Sequence, residues 1–112
     1  MGITLGKYGD QYDNTYQQNS QAYTSCIDRA LKYGWNKESI GHHRVCDNEI
    51  FECGQAGIVG GMGAVFSTIN GNSIHDIAMD QRFGGYETAG IKFHAPVDTV
   101  IGHNHIYQSI QG

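Results

Sequence analysis

The segment Ile69-Asn-Gly-Asn-Ser-Ile-His-Asp-Ile77 sets three isoleucines around a central asparagine, and two other stretches share its pattern. The pattern is an aliphatic residue, two variable residues, asparagine, one variable residue, isoleucine, two variable residues, and a small or apolar residue. The three stretches are Val45–Cys53, Ile69–Ile77 and Ile101–Ser109. Each is too short to hold a hydrophobic core alone, so their repetition predicts units that stack on one another.

The spacing of the repeat predicts the fold. The repeated asparagines are Asn48, Asn72 and Asn104, which lie 24 and then 32 residues apart. A second element recurs as Gly54–Ile58 and Glu87–Ile91, which puts the extra residues of the second interval between Ile77 and Glu87. Short strands at a period of about two dozen residues are typical of a solenoid. We therefore predict a mainly β fold, a right-handed parallel β-helix with aliphatic residues inside and an asparagine ladder at a bend.

The N-terminal third of the sequence has a different periodicity. Apolar residues recur there at intervals of three or four, at Ala22, Cys26, Ala30 and Tyr33. This spacing predicts one amphipathic α-helix before the coils, within residues 13–33, that ends at Gly34, a residue favoured just after a helix. We assign residues 1–36 to a helical insertion or flanking segment and residues 37–112 to a partial parallel β-helix, truncated at its C-terminal edge.

The composition argues against several classes of partner. The chain has 112 residues, 16 glycines, one proline and a formal net charge of −4 at pH 7. No basic patch is available for a phosphate backbone, so no nucleic acid is expected as a partner. No stretch reaches the roughly 18 apolar residues of a membrane span, and the N-terminus lacks the pattern of a signal peptide. We expect no membrane partner and a cytoplasmic location, unless a signal peptide lies upstream of a truncated N-terminus.

Neither a cofactor nor a metal is expected. The cysteines are Cys26, Cys46 and Cys53. Their odd number and the absence of C-x-x-C spacing favour reduced thiols over a disulfide. His103 and His105 alternate as they would on one strand face, but the pattern suggests no third metal ligand.

Several segments resemble the β-helix core of glycoside hydrolase family 120, the β-xylosidase-like enzymes. The segments are Trp35–His43, Cys53–Val59, Glu87–Ala95 and Asn104–Tyr107. The most specific of them reads E-T-A-G-I-K-F-H from Glu87, and the resemblance extends over residues 35–112. It implies that the chain is an internal fragment of a right-handed β-helix enzyme that acts on a small oligosaccharide or xyloside. A homo-oligomeric parent is left open.

The resemblance also implies that the catalytic groups lie outside the chain. In that family, the next coil opens with a glycine, which Gly112 matches, and carries the aspartate nucleophile. A glutamate one coil later is the acid/base. A retaining glycosidase needs two carboxylates roughly 5 Å apart. The parent is thus expected to be a retaining β-glycosidase, whereas this chain alone has no catalytic residue and is expected to be inactive.

What the chain would contribute is substrate binding. The resemblance implies that Glu87 lies in the −1 sugar subsite, where its carboxylate can accept hydrogen bonds from sugar hydroxyls while Lys92 donates one. His94 follows Lys92 at period two and joins this predicted site, and Trp35 could stack on a pyranose ring. The alternatives are a solvated Glu87–Lys92 pair, a packed imidazole at His94, and a tryptophan that covers the helix junction.

One other function remains compatible with the sequence, and a second fits it poorly. A non-catalytic β-helix could serve as a scaffold or as a carbohydrate-binding module. A polyuronide lyase on a β-helix would need basic residues for its acidic substrate, and only seven lysines and arginines occur, scattered along the chain.

Overall fold

A computed structural model describes residues 1–6, 24, 28, 31–32, 37–79, 88–94 and 96–109. Within these residues the chain forms nine short strands and one 3₁₀ turn, Met62–Ala64. The strands are β1 (Ile3–Leu5), β2 (Arg44–Cys46), β3 (Glu49–Cys53), β4 (Ala56–Gly60), β5 (Thr68–Asn70), β6 (Ser73–Ile77), β7 (Ala89–Phe93), β8 (Val100–Gly102) and β9 (His105–Ser109).

The strands form three parallel three-stranded sheets, each built from every third strand in the chain. The first sheet has the order β1-β4-β7, the second β2-β5-β8 and the third β3-β6-β9. Each circuit of the chain therefore adds one strand to every sheet, which is the topology of a parallel β-helix. The prediction of a mainly β fold with stacked parallel coils is confirmed at this level.

The strand register accounts for the unequal repeat. Arg44 pairs with Thr68 and Thr68 with Val100, so the two coils differ by eight residues. Two residues connect β3 to β4, whereas eleven connect β6 to β7. The connection from β7 to β8 is one residue shorter than the connection from β4 to β5, which leaves a difference of eight residues. The extra length thus lies between β6 and β7, as the repeat predicts, and the strands stay in register around it.

The core consists of ladders of aliphatic side chains that run through successive coils. Ile69 pairs with Val45 and Ile101, and Ile74 pairs with Ile50 and Ile106. The central members of these ladders are fully buried. On the last coil the side chains are more exposed, 47% for Ile101, because no further coil of the described residues covers it.

One glycine makes room for the largest side chain at the core. Gly60 pairs with Leu5 on one side and with Phe93 on the other. A Cβ atom at Gly60 would lie 2.7 Å from the Phe93 ring, which packs against the core cluster. A glycine at this position therefore allows the aromatic ring to fill the space between the coils.

Every complete coil bends at three corners through residues with left-handed backbone conformation. Asp47, Gly71 and His103 occupy one corner, with φ of 59°, 73° and 56°. The other two corners are formed by His42, Phe66 and Asp98 and by Glu52, Asp76 and Gln108. All three sets repeat at intervals of 24 and 32 residues, so the backbone conformation recurs even where the side chains differ.

The asparagine ladder is confirmed at the first of these corners. The Asn72 backbone N–H and Nδ2 both donate to Asn104 Oδ1, at 3.0 and 2.9 Å, and the same two groups of Asn48 donate to Asn72 Oδ1 at 3.0 Å. Asn72 Nδ2 also donates to the Val45 carbonyl at 2.8 Å. The left-handed conformation at this corner belongs to the residue before each asparagine. This frees the asparagine side chain to point across the bend.

The N-terminal segment differs in arrangement from the prediction. The sequence predicts that residues 1–36 lie outside the coils, yet β1 pairs with β4 in the first sheet. Thr24, Asp28, Leu31 and Lys32 have helical backbone and lie between β1 and β2, so this helical part does not precede the first strand. Most of the predicted amphipathic helix lies outside the described residues, and the boundary at residue 36 stays a prediction. Residues 6–43 form the connection from the first sheet to the second.

We expect Asn72→Ala to lower the free energy of unfolding by roughly 2 to 4 kcal/mol, because the variant leaves buried donors and acceptors unpaired. Asn72 is 1% exposed, and its side chain takes part in hydrogen bonds to both neighbouring rungs. The measurement is urea unfolding followed by circular dichroism.

The matched control is Asn48→Ala, because Asn48 is exposed and lies at the first rung of the ladder. Its loss should be about 1 kcal/mol or less. Equal losses for the two variants would show that the buried part of the ladder contributes no special stability.

Candidate functional site

The outer face of the first sheet carries the predicted substrate-binding lysine. Lys92 is the fourth residue of β7, paired with Val59 of β4, which in turn pairs with Thr4 of β1. Its neighbour Ile91 belongs to the inner row with Ile58, so alternation along the strand directs Lys92 outward. Val59 is only 7% exposed, although it lies in this outer row. Lys92 itself is half-buried, so this face of the sheet is partly covered.

His94 follows the end of the same strand. Its backbone N–H donates to the Gly60 carbonyl at 2.9 Å, which continues the rung pairing one residue beyond β7. His94 is half-buried, and period two places it on the side of Lys92. The structure therefore brings these two predicted residues to the C-terminal end of one strand. An imidazole and an ammonium group together offer hydrogen-bond donors to a polyhydroxylated ligand.

The chain turns from the first sheet to the second just beyond His94, and a groove lies at this corner. We call it the corner groove; its volume is about 510 Å³ and it is lined by Lys37, Glu38, His42, Phe66 and Asp98. The lining comes from three successive passes of the chain, the β1–β2, β4–β5 and β7–β8 connections. This shallow, open groove has one aromatic wall, two carboxylates and one ammonium group, so it offers both polar and apolar contacts to a ligand.

The aromatic wall of the corner groove is a stacked pair. The His42 and Phe66 rings have centroids 5.3 Å apart and planes 21° apart. Phe66 and Asp98 were not predicted from the sequence as site residues. The signal was present in the repeat, since His42, Phe66 and Asp98 each lie six residues before a ladder asparagine.

Two of the predicted site residues, Glu87 and Trp35, lie outside the described residues. Glu87 precedes β7, whereas His94 follows it, and a five-residue strand spans roughly 16 Å. The predicted subsite of Glu87, Lys92 and His94 therefore includes residues from beyond both ends of β7. Of the four predicted residues, Lys92 and His94 lie together at the C-terminal end of β7. The sugar-binding role of all four residues stays a prediction.

A second groove lies at the opposite end of the first sheet, where the chain enters it from the third. Its volume is about 420 Å³, and it is lined by Glu52, Cys53, Gly54, Asp76 and Met79. Glu52 and Asp76 occupy equivalent corner positions on neighbouring coils. In the described part of the chain, Cys46 and Cys53 are free cysteines.

The outer face of the third sheet carries a ladder of rings. His75 stacks between Phe51 and Tyr107, with ring centroids 5.2 and 4.8 Å away. Its Nδ1 lies 2.7 Å from Asp76 Oδ2 and its Nε2 lies 3.1 Å from Glu49 Oε1. The hydrogen bond to Asp76, then that to Glu49, raises the pKa of His75 above its usual value of 6.5. The imidazole thus links carboxylates of two coils.

The described residues contain no cluster of three or more histidine, cysteine, aspartate or glutamate side chains placed to hold a metal ion. His103 does not share a strand face with His105, because it is the left-handed corner residue two positions before it. In the part of the chain that the structure describes, no helix is long and apolar enough to cross a membrane.

Comparison with known proteins shows a similarity to a solved structure. One solved structure, the complex of XylC with xylose, matches this chain with a TM-score of 0.79 and 36% sequence identity. The match covers 96% of this chain and 18% of the XylC chain, so this chain spans less than a fifth of that protein's length. No family model matches the sequence, and a search of curated proteins gives no match. The β-helix-like coils described above are therefore similar to part of a protein solved with a sugar.

We expect the stability of the chain to fall as the pH rises through the pKa of His75. Because the folded-state pKa is raised, the contribution is fully present below the unfolded value near 6.5 and is lost above the folded value. The measurement is the urea midpoint between pH 5.5 and 8.5. His75→Gln should flatten the curve in the range above 6.5.

The same substitution at the neighbouring His105 is the control, and it should keep the slope of the parent chain. An unchanged slope in His75→Gln would assign the pH dependence to other groups.

Proposed function

We propose that this chain is part of a carbohydrate-active β-helix protein, a β-xylosidase-like glycoside hydrolase that resembles family 120. The observation that carries the proposal is the match to the complex of XylC with xylose, at 36% identity across 96% of this chain. We infer the finer features with it, namely right-handed coils and an amphipathic helix in the β1–β2 connection. The role of the chain is then to supply part of a sugar subsite on a rigid scaffold.

The geometry of β7 supports this role. Lys92 lies on a strand paired through its backbone to β4, and His94 is held by a hydrogen bond to Gly60. Side chains on paired strands are held in place more precisely than side chains on loops. A few such groups can therefore recognise a ligand. Lys92 can donate to a sugar hydroxyl, and an imidazole can donate or accept. Glu87 and Trp35 complete the proposed subsite as a hydroxyl acceptor and a stacking surface.

The proposed hydrolysis belongs to a longer protein. A retaining glycosidase needs a nucleophile and an acid/base carboxylate, and the resemblance assigns both to coils that follow this one. The match covers 18% of the XylC chain, which supports the proposal that this chain is part of a longer protein. The 112 residues alone are expected to bind a sugar weakly and to hydrolyse nothing.

The test is hydrolysis of an aryl β-xyloside by the full-length protein from the reading frame that contains this chain. We expect Lys92→Met and Glu87→Gln each to lower kcat/KM by roughly 10- to 100-fold, because each removes a charged partner of a sugar hydroxyl. Arg44→Met is the matched control. It removes one positive charge from an exposed residue of the second sheet and should leave kcat/KM within about twofold.

Each outcome separates one part of the proposal. A full-length protein that hydrolyses no β-xyloside and binds no xylose contradicts the function. If the Lys92→Met variant hydrolyses the substrate as well as the Arg44→Met variant does, the proposed function stands. Lys92 then has no role in sugar binding.

A further inference from the structure

We infer that Gly60 and Phe93 are positioning residues for the proposed sugar subsite. The Phe93 ring, packed against Gly60, fixes the place from which Lys92 and His94 reach a ligand. The inference rests on the proposed function and deepens it, because it names two residues that determine how well the subsite fits a sugar although neither would touch it. Both lie in the first sheet, at the last positions of the paired strands β4 and β7.

The close approach of the aromatic ring is what requires a glycine at position 60. A Cβ atom there would lie 2.7 to 2.8 Å from Cδ2, Cε2 and Cζ of Phe93. Nonbonded carbon atoms pack best at about 3.5 to 4.0 Å, so a methyl group would displace the ring by roughly 1 Å. The backbone of Gly60 is not left-handed, so its own conformation would permit an alanine. The glycine is therefore needed for the ring and not for a turn.

The ring is coupled to the two proposed binding residues through the backbone. Phe93 lies between Lys92 and His94 in sequence, and the His94 N–H donates to the Gly60 carbonyl at 2.9 Å. Gly60 also pairs with Leu5 of β1, and the side chains of Leu5 and Phe93 both pack against the core cluster. Because neighbouring residues of a strand share one backbone, a displaced ring on the inner face would move Lys92 on the outer face as well.

The other end of β7 is held in a different way. At Gly57 of β4, a Cβ atom would lie 2.6 Å from the carbonyl oxygen of Gly90, so backbone meets backbone there. At Gly60 the nearest atoms belong to a side chain, and a smaller side chain at position 93 would make room for a methyl group. The C-terminal end of β7 is thus the end whose position depends on one side chain, and it is the end that carries Lys92 and His94.

The test is steady-state hydrolysis of an aryl β-xyloside by the full-length protein that contains this chain. We expect Gly60→Ala to lower kcat/KM roughly tenfold, chiefly by raising KM, because a displacement of about 1 Å weakens the contacts of groups that bind the substrate. The double variant Gly60→Ala/Phe93→Leu should recover kcat/KM to within roughly threefold of the parent value, since leucine lacks the outer ring carbons that the methyl group would meet.

Ile69→Val is the matched control, because Ile69 is fully buried in the core of the second sheet and belongs to no part of the proposed subsite. It should lower the urea midpoint, as a loss of core packing does, and leave KM unchanged. An equal rise in KM for Ile69→Val would assign the effect to lost stability and overturn the positioning role.

The remaining outcomes separate the positioning role from the proposed function. A Gly60→Ala variant with the KM of the parent, or a double variant without recovery, would overturn the role while hydrolysis by the parent keeps the function. If Gly60→Ala does not fold, Phe93→Leu decides: a raised KM that the added Gly60→Ala reverses supports the role, and an unchanged KM overturns it. Absence of hydrolysis by the unsubstituted protein would overturn the function and the role with it.

Discussion

The structure depends on a hydrogen-bonded asparagine at the same bend of each coil. Asn72 accepts two hydrogen bonds from the coil before it and donates two to the coil after it, counting its backbone N–H. Because the amide is buried, a coil that slipped by one residue would leave these polar groups without partners. Together with the isoleucine rows, the ladder fixes the register in which all three sheets pair.

A fixed register determines what the outer surface can present. Each outward position is followed along the stack by the same position of the next coil, about 4.8 Å away. Unlike side chains then become neighbours, as when His75 lies between two aromatic rings and binds carboxylates of two coils. The corner groove arises in the same way, from three left-handed residues in one row. The functional surface is therefore a set of rows whose backbone is constant and whose side chains are free to vary.

This division explains which features the sequence could predict. Asn48, Asn72 and Asn104 share both a backbone position and a side chain, so the repeat revealed their ladder. His42, Phe66 and Asp98 share only the backbone conformation, so nothing in their side chains showed that they meet in one groove. The three residues of β1 were too few to show a pattern, and their pairing with β4 was missed for that reason. Glu87 and Trp35 lie outside the described residues, so their roles stay predictions from the sequence.

The unequal length of the two coils shows how such a scaffold can diversify. Eleven residues join β6 to β7 where two join β3 to β4, and the strands on both sides keep their partners. The connection from β1 to β2 likewise contains residues 6–43 at a corner that elsewhere needs only six or seven. The length of a connecting loop therefore has little effect on how the coils stack. Recognition segments could be exchanged at these corners, by recombination or by design, without redesign of the core beneath them.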